Sequence, residues 1–523
     1  MLKMITITNP TNFKLISPFV NTDAAPKLIE EEVKLTSSLH QISSAGAEYA
    51  FKFNLFPYAV YCNFLSGSET PHGNTHVIVS KAIRTTLIEH LKFISEGESD
   101  SPRVSTSKTA RFIRKLFKLA IFKDNRKIYA YNFKAGFWEE ATLILERFIY
   151  ELIVTTLKLK WSQHFQDKVV KEVDKKLPLL TIDDINTKGF AFSNATLNYS
   201  INQFTDHKPE YYCTMHSDVK YDPKADCPVF KTMLDMWFKD DLKAQDFVQE
   251  WFGYCLSGSH KANVFLIIYG SGGEGKSTFI SVLDKLIGNL NVSSAPLSNL
   301  NSDFGLEPLV GKKINIATEN SNKGFETSKL KSITAGEPVT VNRKNIAETS
   351  MILQTKLVYL VNELPQLNDT TDGLSRRLLI LPFKNRLPKN QQDINLIQKL
   401  ESELSGILNW AIAGLHRLAG NGYKFTISSS MEAIQNRYLS QGDIITLFCK
   451  EALSTSDTTV IQATAFIDEF REWAAKNDYS TIHITSPKIF WTAFSNSAAK
   501  VGINYKKYKS NGKQVIKGLQ IIK

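Results

Sequence analysis

Cysteine is scarce in this chain: five among 523 residues, at Cys62, Cys213, Cys227, Cys255 and Cys449. No two form a C-x-x-C pair, which argues against a zinc ribbon. Isolated cysteines fit reduced thiols in a cytoplasm. Long apolar runs are missing too. No stretch of 18 apolar residues occurs, so no helical membrane span is expected. The opening segment 1–13 (MLKMITITNPTNF) holds no signal-type apolar core. Acidic residues fall short of basic ones, 52 against 63, leaving a net charge of +11. That excess favours a polyanionic partner or a basic soluble enzyme, and charge alone does not choose. No internal repeat or low-complexity tract is present. What remains, 43% hydrophobic and 22% charged residues, is an ordinary folded composition. The length calls for about three domains.

Residues 1 to about 95 alternate short apolar stretches with polar breaks, and the aromatic-rich Glu48–Leu65 reads as core. Ser95–Lys108 is a polar linker or long loop. Ala110–Phe122 (ARFIRKLFKLAIF) reads as a basic amphipathic helix with an apolar core stripe. Arg126–Phe137 reads as a hairpin turning near Ala135-Gly136, and Glu139–Lys176 as helical. Pro209–Asp226 is a loop, followed by helical residues Val229–Ser257. From Val264 to Phe383 strands and helices alternate, which predicts α/β structure with a mostly parallel sheet. Gln391–Ala419 is helical, and the block 442–523 shows helical patterns at Ile444–Ala452, Ala463–Asn477 and Lys488–Val501.

The chemistry concentrates after Asn263–Tyr269, an apolar strand. Gly270, Ser271, Gly272, Gly273, Glu274, Gly275, Lys276 and Ser277 form a complete G-x-x-x-x-G-K-[ST] match, followed by the helical run Thr278–Ile287. Glycines let backbone N–H groups turn inward around a triphosphate. The following helix points its positive end at the same phosphates. Lys276 suits the β/γ-phosphates of ATP and Ser277 suits Mg²⁺. Hydrolysis also needs a carboxylate at the end of a neighbouring strand. Lys313–Ala317 is such a strand, and Glu319 follows it as the expected catalytic carboxylate and second metal residue. Lys356–Val361 ends at Asn362, whose amide can hold the attacking water and the γ-phosphate together. Arg376 and Arg377, ahead of Leu378–Pro382, suit a finger that reaches a neighbouring subunit's γ-phosphate, without the sequence saying which. Between the two catalytic strands, Pro338–Glu348 reads as a hairpin whose tip, with Arg343 and Lys344, could touch a phosphate backbone. The last 24 residues, Lys500–Lys523, carry seven lysines and no acid. Lys506, Lys507 and Lys509, interleaved with Tyr505 and Tyr508, suit a wing on DNA phosphates.

In order, GSGGEGKST, ATEN, KLKSITAGEPVTVNRKN, LVYLVNELP and DGLSRRLLILPF closely resemble the superfamily 3 helicases, nearest the phage, plasmid and poxvirus primase-helicase type. Outside those motifs, Tyr221–Pro228 (YDPKADCP), Trp251–Leu256 (WFGYCL) and Gly406–Ala411 (GILNWA) are similar to that family's flanking segments, so the resemblance runs from about Arg126 to Gly422. It implies an α/β fold: an AAA+ P-loop ATPase core, an α-rich or mixed N-terminal region and a C-terminal winged helix. The expected boundaries are 1–105 for an accessory domain, 106–257 for a mostly helical domain, 258–425 for the ATPase and 440–523 for the winged helix. By resemblance the protein is a hexameric ATP-dependent helicase moving 3′ to 5′ on single-stranded and forked DNA. Its setting would be the cytoplasm and nucleoid of a bacterium. It would replicate a phage, plasmid or genomic island, staphylococcal cassettes among them, with an initiator or primase as partner. Two rival readings are an ATP-switched origin-binding protein without processive unwinding, and a bifunctional primase-helicase.

Departures from the family stand out. Glu274 occupies a position where the family often has Asn, which puts an acid near the phosphates, and Asn194-Ala195 stands where Gly often follows Asn. The first 100 or so residues lack the paired acids and partnered His of a polymerase-type primase; Glu96, Glu98 and Asp100 lie in the linker.

Overall fold

The computed structural model describes residues 92–93 and 103–522, apart from 124, 157–158, 240, 320–326, 345, 366–371, 387–392, 443, 478–485 and 511. The expected aromatic core at Glu48–Leu65 and the linker acids Glu96, Glu98 and Asp100 lie outside the described residues. The chain divides into two units at Asp222/Pro223. This division falls inside the span 106–257 that the sequence reads as one helical domain.

In the first unit, α1 (Thr106–Leu116), β1 (Leu119–Phe122), β2 (Lys127–Asn132), β3 (Phe137–Glu140), α2 (Thr142–Tyr150), α3 (Gln163–Asp174) and β4 (Leu179–Leu180) come first. They are followed by β5 (Gly189–Phe192), β6 (Thr196–Asn198), β7 (Gln203–Thr205) and β8 (His216–Ser217). Two four-stranded sheets run β3-β2-β1-β4 and β8-β5-β6-β7, and Lys92–Phe93 pairs antiparallel with Arg103–Val104. The expected helix Ala110–Phe122 is corrected here. Helix α1 stops at Leu116, and Leu119–Phe122 pairs antiparallel with Lys127–Ala130. The reason is two-sided burial. Leu119 and Ile121 pack with the helices, while Ala120 and Phe122 join Tyr131 and Trp138 on the other face. Apolar residues on both sides of a strand resemble a helix stripe, and periodicity alone does not separate them. The turn into β3 is at Gly136, whose φ of +75° suits glycine, as expected for that hairpin.

In the second unit, α4 (Pro228–Phe238) and α5 (Leu242–Leu256) lead into β9 (Phe265–Tyr269), α6 (Lys276–Ile287), β10 (Val292–Ser293) and β11 (Ile314–Glu319). Then come α7 (Ser328–Ala335), the hairpin β12 (Val339–Arg343) and β13 (Ile346–Met351), β14 (Lys356–Val361), α8 (Asp372–Ser375) and β15 (Leu378–Pro382). Helices α9 (Leu396–Ser402), α10 (Leu404–Gly420) and α11 (Ser429–Gly442) follow. The central sheet runs β10-β11-β14-β9-β15, with every pairing parallel. Its middle strands are buried on both faces, so β14 reads KLVYLV without alternation.

The flanking segments pack on one another. Gly253 of α5 lies so close to α10 that a Cβ there would sit 2.4 Å from the Ala411 carbonyl oxygen. A Cβ at Gly406 would meet the Asp226 carbonyl at 2.2 Å. Glu403 caps α4: its carboxylate accepts from the backbone N–H groups of Val229 and Phe230, both at 2.9 Å. These contacts explain why helices α4 and α5 belong with the sheet rather than with the first unit.

The chain ends with α12 (Ile444–Glu451), β16 (Leu453–Gln462), α13 (Ala463–Lys476), α14 (Pro487–Lys500), β17 (Lys506–Ser510) and β18 (Lys513–Ile521). The three strands form an antiparallel sheet in the order β16-β18-β17. Phe448, Phe466, Phe470, Phe490 and Phe494 fill its core. Among the described residues, no helix is long and apolar enough to cross a membrane.

Candidate functional site

Strand β9 delivers the chain to the carboxyl edge of the parallel sheet, where open α/β sheets hold ligands. Three glycines then adopt left-handed or similarly positive backbone angles: Gly272 at +113°, Gly273 at +84° and Gly275 at +89°. Glycine reaches these angles without steric cost. Gly275 also needs the space, because a Cβ there would lie 2.6 Å from Trp237 Nε1. Helix α6 starts at Lys276, so its free N–H groups face the turn.

The turn opens onto a cavity of about 760 Å³, a common size for a ligand site. Gly272, Gly273, Gly275, Lys276, Ser277 and Thr278 line one side. Thr318 and Asn362, at the ends of β11 and β14, line another. These two strands are neighbours, with Glu319 registered against Val361. The backbone of Glu319 therefore ends β11 beside the cavity strands; its side chain lies outside the description. Two walls were not foreseen. One is the α4 row Val229, Thr232, Met233 and Met236; the other runs from Asp393 to Lys399. The α4 row has helical i, i+3, i+4, i+7 spacing, a signal present in the sequence but shared by any helix face.

Within the turn, Glu274 is almost fully buried, with 2% of its side chain exposed. Its Oε2 accepts from the Gly272 N–H at 2.8 Å and lies 3.2 Å from Lys276 Nζ. Its Oε1 accepts from the Ser271 hydroxyl at 2.9 Å. Lys276 also donates to the Gly270 carbonyl at 2.7 Å. Burial pushes the Glu274 carboxyl up, but the hydrogen bonds from Ser271, its own backbone, Lys276 and Gly272 outweigh it and bring it down to about 2. Arg386, just beyond β15, joins the group. It donates from Nη2 to the Ser271 oxygen at 2.9 Å, and its Nε lies 3.7 Å from Glu274 Oε1. No motif marked Arg386; only the fold brings it to the turn.

The arginine pair sits at the opposite edge. Phe265, which starts β9, is registered against Leu378, so Arg376 and Arg377 precede the amino end of β15. A five-residue strand separates them from the glycine turn by roughly 16 Å. The two differ. Arg377 is half-buried, donates from Nη1 to the Gly373 carbonyl at 2.7 Å and accepts the Phe265 N–H on its own carbonyl. Arg376 is exposed. Two buried lysines close the same edge. Lys313 Nζ donates to the Ser257 carbonyl at 2.7 Å, and Lys356 Nζ to the Ser259 carbonyl at 2.6 Å. Burial pulls the Lys356 amine down to about 7.

The hairpin β12–β13 forms as expected, with an irregular register between Val341 and Arg343. Arg343 is half-buried at the end of β12 and Lys344 is exposed in the turn. At the C-terminus Lys506, Lys507 and Lys509 all lie exposed on β17. Lys507 Nζ stands 4.1 Å over the Trp491 ring, and Lys506 is registered directly against Lys517. Among the described residues no group of three or more His, Cys, Asp or Glu is placed to hold a metal ion.

Residues 110–239 match the family described as D5 N terminal like, and residues 268–377 match a family of unknown function (DUF5906). The protein named "Putative helicase L207/L206", from Acanthamoeba polyphaga mimivirus, is 24% identical over 331 residues, which is 56% of this chain and 34% of the relative. The chain thus spans about a third of that relative's length. "Uncharacterized mitochondrial protein ymf21" of Marchantia polymorpha is 28% identical over 128 residues, 22% of this chain and 70% of that one. Two solved structures of the NrS-1 C terminal region cover 79% and 81% of this chain and 98% and 100% of their own, at 16% identity. Their TM-scores are 0.45 and 0.46, a likeness too loose to carry an argument. The chain is thus similar in part to the family described as D5 N terminal like and to the viral protein named "Putative helicase L207/L206".

Proposed function

We propose that this chain is an ATP-dependent DNA helicase of the superfamily 3, AAA+ type, acting in the replication of a phage, plasmid or other mobile element. One observation carries the reading: the glycine turn with Lys276 and Ser277 shares a cavity with Thr318 and Asn362 from the ends of two adjacent parallel strands. That is the arrangement a P-loop motor needs to hold a triphosphate and place a water beyond it. Lys276 draws the β/γ-phosphates, and Asn362 orients the water against the γ-phosphate. Glu319 takes the water's proton, as the order of the motifs implies. The hydroxyl oxygens of Ser277 and Thr318 are hard donors of the kind Mg²⁺ prefers. Ser277 and Glu319 would hold the ion, which would neutralise phosphate charge.

Arg376 fits a finger acting on a neighbouring copy. It is exposed and stands at the sheet edge remote from its own glycine turn. A finger in trans implies a ring or filament of copies, and the family resemblance favours a hexameric ring. Arg343 and Lys344 on the hairpin between the catalytic strands would track single-stranded DNA, 3′ to 5′ by resemblance. The helix and strand order of the C-terminal block suits a winged helix, with Lys506, Lys507 and Lys509 on its wing. Lys506 opposite Lys517 is an unfavourable like-charge pair that a bound phosphate would relieve. The D5-type match and the mimivirus relative's name agree with this reading. The decisive assay is strand displacement on a forked duplex with ATP and Mg²⁺. The wild type separates the strands and Lys276→Ala does not; equal unwinding by both proteins refutes the assignment.

The lysine-rich strand β17 also favours a second reading, ATP-switched origin binding without processive unwinding. It requires a footprint confined to one duplex sequence and no strand separation at any protein concentration. On the helicase reading, alanine at Lys506, Lys507 and Lys509 weakens duplex binding for all sequences alike. It also lowers the slope of log affinity against log salt by about 2 to 3.

A further inference from the structure

Lys276 is the cation that the nucleotide reading assigns to the phosphates, yet in the structure it is already engaged. Its amine lies 3.2 Å from the buried carboxylate of Glu274, two residues earlier in the same turn. The carboxylate also takes the Gly272 N–H, one of the backbone donors of the turn. For Lys276 to reach a β- or γ-phosphate, its pair with Glu274 must lengthen. A carboxylate with 2% exposure cannot cheaply lose the lysine beside it, because an uncompensated buried charge is strongly destabilising. Among the described residues, Arg386 also stands within reach. Arg386 Nε lies 3.7 Å from Oε1, and its Nη2 already holds the Ser271 hydroxyl that donates to that same oxygen. Arg386 is 64% exposed and has room to close in. Its neighbour Asn385 donates to the Trp237 carbonyl at 2.9 Å, and Trp237 lies under Gly275. The segment after β15 is therefore tied to the turn at two points.

We infer that Glu274 is a built-in counter-anion for the glycine turn. It holds Lys276 until phosphate competes for it, and it then passes to Arg386, so that nucleotide binding tightens a latch between the turn and the segment after β15. This rests on the nucleotide-site reading and adds a positioning role for Glu274 and Arg386. A neutral residue at position 274 frees Lys276 and removes a negative charge beside the phosphates, so binding tightens. Arg386 matters only while that charge is present.

The test is a double-mutant cycle on the full chain, with Kd measured for a fluorescent ADP analogue and for pyrophosphate as competitor. Glu274→Gln is expected to bind about tenfold tighter than wild type. Glu274→Asn, which keeps an amide at a shorter reach, serves as the second neutral variant, and thermal melts establish that each protein is folded. Arg386→Ala is expected to weaken binding about threefold in the wild type and to change nothing in the Glu274→Gln background. The latch is overturned if both neutral variants bind no tighter than wild type. It is also overturned if Arg386→Ala weakens both backgrounds equally, because Arg386 then touches the phosphates itself. Binding by none of the proteins, including wild type, overturns the nucleotide site and the latch with it. Binding by all, without the expected pattern, removes the latch alone.

Discussion

The two edges of the central parallel sheet use buried lysine in opposite ways. At the carboxyl edge Lys276 faces an open cavity and is paired with a carboxylate. At the amino edge Lys313 and Lys356 are sealed in and donate to the carbonyls of Ser257 and Ser259. A lysine paired with a carboxylate beside an open cavity is one for which another anion can compete. A lysine sealed against backbone carbonyls acts as a staple, and at Lys356 burial also lowers the amine. The contrast separates a group poised to bind from one that holds the chain in place.

The largest expected effect comes from the amino edge acting across a subunit boundary. Arg376→Ala should lower ATP turnover about 10³-fold, the size of a lost arginine finger. Mixing it with Lys276→Ala should restore part of that turnover, because each protein completes a site the other lacks. No recovery at any mixing ratio would make the remote edge merely structural. Arg377→Ala sharpens the same contrast. Arg377 is held by the Gly373 carbonyl within its own chain. Its loss should therefore lower stability by about 1 kcal/mol in denaturant unfolding. If Arg377→Ala instead lowers turnover as much as Arg376→Ala with unchanged stability, the two roles are reversed.

A further effect is a pH dependence at Lys356. Its folded value, about 7, lies below the ordinary 10.5 because burial disfavours the charge. Between those values the unfolded chain binds more protons than the folded one, so this lysine makes stability rise with pH across that window. Lys356→Met removes that contribution. Melting temperatures measured from pH 7 to pH 10 should therefore diverge, with the variant falling further behind the wild type as pH rises. Parallel curves would mean that Lys356 keeps its charge when folded. Nucleotide affinity should be unaffected, since the site is at the other edge.

The carboxyl edge was legible in the sequence because its signals are local. An apolar strand, a glycine turn and an apolar helix adjoin one another, and Asn362 directly follows a strand. The strands β11 and β14 and the hairpin between them emerged as read, for the same reason. What could not be read depends on contacts far apart in the chain. Arg386 lies 115 positions from Ser271, and Trp237 reaches Gly275 from another helix. The first unit misled for a different reason. Its strands run two to six residues, and β1 is apolar on both faces, so it looked like the end of a helix. The arginine pair was visible, but only burial distinguishes the anchored Arg377 from the exposed Arg376.

Steady-state ATP hydrolysis with and without single-stranded DNA, for wild type and Lys276→Ala side by side, puts the whole reading at risk. The reading requires DNA to raise the wild-type turnover, and it requires Lys276→Ala to lose about 10²-fold or more and to stay indifferent to DNA. A wild-type rate unmoved by DNA, or a Lys276→Ala rate equal to wild type, would contradict it.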